Sequence, residues 1–381
     1  MTNRTLSIAV DARPLAFPQN GIGRYTASLL GAFASLQLPY CIYLYSDRPF
    51  QPDFALPQNW KVRTGHVRSG GLSTAFAQAI FPFWALRDRI DVFWSPRHQL
   101  PLLLPPRIRK VVTTHDVVWK RFPQTMRRFG PVVEALLTPF SLRVADQVIA
   151  DSQFTRSELI ALFPWVESKV RVVYLASNLP YETSNDSSPD SHPYFLFVGS
   201  CEPRKNLPGL LRAYRQYRSR SSSPINLIIA GGDQWGEFSV ADYIRTNGLA
   251  SSVRVIKHVD DAALCCLYAH AQALVMVSFY EGFGLPLVEA MQYGVPLVAS
   301  NTGAVAEVAG NAAILVDPTD IGAIAHALDQ ITENPKVRTT LASHARARGL
   351  QFSWEKAASE TMALIVGDLP GTEPGNGQEI K

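Results

Sequence analysis

Short apolar runs rich in β-branched residues recur along the chain, and between them apolar residues return every three or four positions. In the first half the runs fall at residues 6–11, 40–45, 92–94, 110–114 and 147–150. In the second they fall at 194–198, 226–230, 253–256, 273–277, 296–299 and 313–316. Helical spacing is clear at 207–218 and 321–331. Strands apolar on both faces and separated by helices predict parallel sheets covered on both sides. Each half holds enough strands for one sheet, so the prediction is α/β, with two doubly wound parallel-sheet domains facing a deep cleft.

The polar, proline-bearing stretch 183–193 reads as a linker between residues 1–182 and 194–366, and the Gly/Pro-rich end 367–381 as a tail. Residues 262–280 are nearly as long and apolar as a membrane span. His270 and Gln272 interrupt them and a β-rich end follows, so a buried helix running into a buried strand is expected. Residues 1–14 lack a basic start followed by an apolar run, and no secretory signal is expected. The 381 residues suit two domains at roughly 100–200 residues each. The 4 cysteines show no metal or disulfide spacing and fit a reducing, cytoplasmic compartment.

Charge changes the picture more than composition does. Residues 1–175 carry 21 Lys/Arg against 11 Asp/Glu, and the remainder carries 15 against 21. A basic half faces nucleic acid, an anionic membrane surface or an acidic substrate. Interleaved aromatic and basic patches of a nucleic-acid module are missing, which sets that partner aside. The apolar pieces 80–84 and 100–104 suit either docking on a bilayer or core packing.

Candidate chemistry gathers at predicted strand ends, where open parallel sheets bind ligands. After 273–277 comes Glu281-Gly-Phe-Gly-Leu-Pro-Leu-Val-Glu289. A glycine turn entering a helix with Pro286 in its first turn aims free amides and the positive helix end at one point, which suits phosphate. Glu281 and Glu289 suit sugar hydroxyls, or else a solvated loop and a helix-dipole partner. After 194–198 comes Glu202-Pro-Arg-Lys-Asn206, whose Arg204 and Lys205 fit a diphosphate or an ordinary solvated charge pair. Asn20-Gly-Ile-Gly-Arg-Tyr25 lets backbone approach a ligand closely but lacks the full dinucleotide fingerprint, because Thr26 stands where its third glycine would be. Thr113-Thr-His-Asp116 ends another strand, with His115 either structural or facing substrate. Thr155-Arg-Ser-Glu158 reads as a capping box. No Asp-x-Asp and no metal-ligand spacing occurs, so no metal is expected.

Taken together, these segments resemble the retaining glycosyltransferases of family 4, which have the GT-B fold of two Rossmann-like domains. The likeness runs from Asp11 and Gly21-Ile-Gly-Arg-Tyr25 to about Pro318, and rests on Glu281 and Glu289 with seven residues between them. Gly294-Val-Pro-Leu-Val-Ala-Ser300, Glu202-Pro-Arg-Lys-Asn206, and Gly303 with Glu307 and Val308 extend it. The resemblance implies that Arg204 and Lys205 bind the donor diphosphate, Glu289 the ribose and Glu281 the donor sugar. It implies backbone amides from Phe283, Gly284 and Leu285, a sugar contact from His115, and a lining role for Gly21 and Gly23. The loop around Val259 would meet the base. The implied reaction moves a hexose, mannose from GDP-mannose as first guess, to a glycan or lipid-linked saccharide in polysaccharide or lipopolysaccharide synthesis. It needs no cofactor beyond the nucleotide-sugar substrate. The implied place is cytoplasmic, peripheral on the inner face of the cytoplasmic membrane. A UDP- or dTDP-sugar donor, an epimerase and a non-catalytic glycan binder are the alternatives.

Overall fold

Two parallel sheets divide the computed structural model, which describes residues 5–17, 21–68, 72–126, 130–180, 190, 192–231 and 238–369. The first contains β1 (Ser7–Asp11), β2 (Cys41–Ser46), β3 (Lys61–Thr64), β4 (Val92–Ser95), β5 (Arg109–Thr114), β6 (Gln147–Ala150) and β7 (Val170–Val172). Their spatial order is β3-β2-β1-β4-β5-β6-β7. The second contains β8 (Tyr194–Val198), β9 (Asn226–Ala230), β10 (Val253–Ile256), β11 (Ala273–Met276), β12 (Leu297–Ser300) and β13 (Ala313–Val316), in the order β10-β9-β8-β11-β12-β13. Every neighbouring pair is parallel.

All eleven predicted runs are strands. Their residues are buried on both faces where they sit centrally, as in β1, β4 and β12. β3 and β7 are additional. They lie at the two edges of the first sheet, where Lys61 and Val62 of β3 and Arg171 of β7 are exposed, so neither had to be apolar. Chain order reverses beside β1 and beside β8, the position where doubly wound sheets open a crevice at their carboxyl ends.

The long apolar stretch resolves as helix Asp261–His270 followed by β11. No helix among the described residues is long and apolar enough to cross a membrane. Helix Trp354–Val366 follows the second sheet in sequence but packs against helix Gly21–Ser35, β4 and β6 of the first. Arg109 donates to the carbonyls of Ile365 (3.1 Å) and Leu364 (3.2 Å), and Trp354 Nε1 donates to the Ser177 carbonyl (2.9 Å). Asn20, most of the expected linker (183–189 and 191) and residues 370–381 of the tail lie outside the described residues.

The expected capping box is not formed. Ser152 caps helix Gln153–Leu162, its Oγ accepting from the Thr155 amide at 3.0 Å. Thr155 is already inside the helix, and Glu158 pairs with Arg121 instead.

Candidate functional site

Loops from the carboxyl ends of both sheets enclose a cavity of about 760 Å³. Gly21, Arg24 and Tyr25 reach it from beyond β1, His115 and Asp116 from β5, and Asp151 from β6. Gly199, Ser200, Glu202, Arg204 and Lys205 reach it from beyond β8, Val259 from β10, and the segment 281–286 with Glu289 from β11. Ten of the eleven residues singled out from the sequence therefore line one space. The exception is Gly23, which is buried in its helix and does not line it.

Glu281 and Arg204 are the pair at its centre. Asn206 adopts a left-handed conformation that ends the short turn Pro203–Lys205 and starts helix Leu207–Arg220, turning Arg204 toward β11. Arg204 Nε donates to Glu202 at 2.8 Å, and Nη1 donates to the Tyr280 carbonyl at 3.2 Å and to the Glu281 carboxylate. Ser278 adds a hydrogen bond to the other Glu281 oxygen at 3.3 Å. Burial opposes ionisation of Glu281, but the charges of Arg204 and then Lys205 outweigh it, and its pKa falls below the ordinary carboxylate value. Two carboxylates thus hold one guanidinium in place, a preorganised cation facing the cavity.

Lys205 differs from its neighbour. It packs against Gly199, taking the space a Cβ would need there, and it has no carboxylate ion pair among the described residues. Gly284 (φ +98) starts helix Leu285–Gln292, and no side chain caps that end. Pro286 has no N–H and the Leu287 amide donates to the Gly284 carbonyl at 2.9 Å, so in the first turn the Leu285 amide is the one left to whatever occupies the cavity. The Phe283 ring is buried and packs against Tyr174 and Phe352.

Glu289 is in a different state from Glu281. Burial raises its pKa, and the hydrogen bond from Tyr268 Oη at 2.7 Å offsets this only in part. Such a carboxylate gains from hydroxyl donors. Tyr268 lies on helix Asp261–His270, and nothing in its local pattern marks it.

His115 departs from the expectation of a sugar contact, because both ring nitrogens are engaged. Nδ1 meets Asp151 at 2.6 Å and Nε2 meets the Pro96 carbonyl at 2.9 Å. Burial works against its protonation, yet Asp151 and the Pro96 carbonyl prevail and its pKa is raised. With Asp151 on one nitrogen and the Pro96 carbonyl on the other, the ring holds two loops together. Asp151 went unnoticed in the sequence, although it follows β6 directly and obeys the same strand-end rule.

The two halves are joined around this cavity. The Gly282 carbonyl accepts from Ser152 Oγ at 2.7 Å and Thr155 Oγ1 at 3.1 Å. Glu307 accepts from the Gln153 and Phe154 amides at 2.7 and 2.8 Å and from Tyr174 Oη at 2.9 Å. One carboxylate from the second half thus caps a helix of the first. Arg24 pairs with Asp261 at 2.6 Å across the cavity mouth.

Two family profiles match the chain: "Glycosyl transferases group 1" over residues 182–348 and "Glycosyltransferase Family 4" over residues 19–179. O-antigen chain mannosyltransferase B of Escherichia coli is 29% identical over 380 residues, covering 94% of this chain and 98% of that protein. The sucrose-phosphate synthase structure from Thermosynechococcus elongatus superposes with a TM-score of 0.72 at 22% identity, covering 95% of this chain and 98% of that one. The Anabaena HepE structure in complex with UDP and glucose gives 0.71 at 20% identity, covering 94% and 98%. These two solved structures share the fold.

Proposed function

Because the chain belongs to the group 1 glycosyltransferases of family 4, with the GT-B fold, we propose that its central cavity binds a nucleotide-sugar donor and passes the hexose to a glycan or lipid-linked saccharide with retention. The observation that carries this reading is the convergence of Arg204, Lys205, the uncapped start of helix Leu285–Gln292, Glu281 and Glu289 on one space. Cations and amides suit the diphosphate, and the carboxylates suit the hydroxyls of sugar and ribose. Likeness to a mannosyltransferase favours GDP-mannose. The UDP complex of a structural relative keeps a UDP-sugar as the second reading.

In the reaction, the acceptor hydroxyl oxygen bonds to the anomeric carbon on the face from which the diphosphate departs. The bond from that carbon to the diphosphate oxygen breaks, and the hydroxyl proton passes to the leaving diphosphate. Arg204, Lys205 and the helix start stabilise the departing charge without a metal ion. His115 orders the loops rather than supplying a proton, since its nitrogens are already engaged. The enclosing loops exclude water from the donor.

The acceptor side fits a membrane surface. Phe83 and Leu86 of helix Ser73–Arg87, Leu102 and Leu103, and Leu136 and Phe140 of helix Gly130–Val144 are exposed. Gln78 bonds Leu100 and Leu102, and Ser141 bonds Leu100, so these three pieces adjoin on the basic half. Phe81, Leu100 and Leu104 of the same pieces are core residues.

A panel of GDP-, UDP- and dTDP-sugars, with and without chelator, tests the reading through slow donor hydrolysis and the anomeric configuration of the product. The reading expects one donor to turn over equally in both conditions, with retention. An inverted product, or no turnover of any donor, contradicts it.

A further inference from the structure

Beside the central cavity lies a second pocket of about 220 Å³, opening onto it through Ile22, Asp116, Glu202 and Arg204, which line both. Two hydrogen-bond donors in its wall have no acceptor among the described residues. Trp119 is 6% exposed, and its buried indole Nε1 has no partner among the described residues. Arg97 has neither a hydrogen bond from its guanidinium nor an ion pair among the described residues, although burial and the neighbouring Arg13 charge both act against its own charge. An enclosed donor without an acceptor is costly, and so is an unpaired guanidinium. Both are explained if a ligand supplies oxygen atoms there.

Acceptors face these donors. Asp116 Oδ1 takes the Val118 amide at 3.0 Å, and the other carboxylate oxygen has no partner among the described residues. Glu134 lies in the same wall and is held ionised, its pKa at about 2. Burial opposes this, but His98 and Thr138 outweigh it. Glu202 closes the junction. With these carboxylates around it, a phosphate or carboxylate ligand would meet repulsion, and with Arg97 and Arg204 present a cation would too. A neutral molecule that both donates and accepts hydrogen bonds, with an apolar face for Trp119, meets neither. The pocket is also smaller than the roughly 300–1,000 Å³ that holds a whole drug-sized ligand, which leaves room for one ring.

We propose that this side pocket is the acceptor subsite and takes a single neutral pyranose, with Arg97 and Trp119 Nε1 donating to its oxygens and Asp116 accepting from the hydroxyl nearest the donor. The proposal rests on the glycosyltransferase reading of the adjoining cavity. Specificity for the acceptor then resides in β4 and β5 loop residues, apart from the diphosphate-binding Arg204 and Lys205.

The test uses the full chain saturated with whichever of GDP, UDP or dTDP it binds. Methyl α-D-mannopyranoside, methyl α-D-glucopyranoside and methyl α-D-galactopyranoside are titrated by saturation-transfer NMR, with mannose 6-phosphate as the charged comparison. At least one neutral glycoside should bind. Trp119→Phe and Arg97→Met should each weaken it by about 5- to 10-fold, the worth of one hydrogen bond or slightly more, with nucleotide affinity unchanged. Arg97→Lys should recover part of the loss. Circular dichroism checks the fold of each variant, and the two act independently should one fail to fold. The proposal is overturned if no neutral glycoside binds, if both variants bind as the native chain does, or if mannose 6-phosphate binds more tightly. If none of these nucleotides binds, the donor reading itself fails and takes this subsite with it.

Discussion

The Gly282 α-carbon lies against the His115 carbonyl oxygen so closely that a Cβ would collide with it. The glycine belongs to the segment that carries Glu281, and the histidine ends β5 of the other sheet. Glycine is required here by close approach of two backbones, not by an unusual φ. Gly282→Ala must push the two loops apart, at about 1–3 kcal/mol for an overpacked contact. Urea unfolding measures that loss. Donor hydrolysis should fall with it, because Glu281 and Arg204 move relative to His115; an alanine variant of native stability would contradict the fit.

Glu289 and stability pull in opposite directions. Its raised pKa means that the folded chain favours the neutral acid, a contribution fully present below the unfolded value of about 4.5 and lost as pH rises through the folded value. Glu289→Gln keeps an acceptor for Tyr268 and removes the buried charge. The variant should gain on the order of 1 kcal/mol near neutral pH while binding donor more weakly. The gain should shrink toward pH 4; a gain independent of pH would show that the charge is not its source.

For the His115–Asp151 pair the pH dependence is also defined. The raised His115 pKa stabilises the fold fully below about pH 6.5, the unfolded value, and this is lost as pH rises through the folded value. Asp151→Asn should cost about 1.5–3 kcal/mol at pH 6, as for a charged hydrogen bond, and less at higher pH. Unfolding curves across that range measure it.

Glu307 holds a helix of the opposite half by its first two amides. Glu307→Ala should cost about 0.5–2 kcal/mol, the worth of a helix cap. Limited proteolysis should cut the variant faster between the halves. A variant with native stability and native cleavage would mean that the contact contributes nothing in solution.

Much of this was legible in the sequence, for a physical reason. Central strands of parallel sheets must be apolar on both faces, so every one of them stood out, whereas β3 with Lys61 and Arg63 and the three-residue β7 did not. Strand-end placement found Arg204, Lys205, Glu281 and His115. It could not tell what these residues and Glu289 would pair with, because Tyr268, Asp151 and the Pro96 carbonyl come from distant parts of the chain and meet them only on folding, although Asp151 itself obeys the strand-end rule. The same holds for Thr155, which looked like a helix cap and in fact bonds the Gly282 and His115 carbonyls at 3.1 and 3.2 Å. The return of helix Trp354–Val366 to the first sheet is likewise a long-range contact that leaves no local pattern.

Isothermal titration of nucleotide sugars into the native chain and into Arg204→Ala and Lys205→Ala variants tests the donor site most directly. The account predicts that one diphosphate sugar binds, and that each variant loses roughly 10- to 100-fold in affinity, as expected for one charged hydrogen bond. Native affinity in both variants, or no binding of any nucleotide sugar to the native chain, would contradict it.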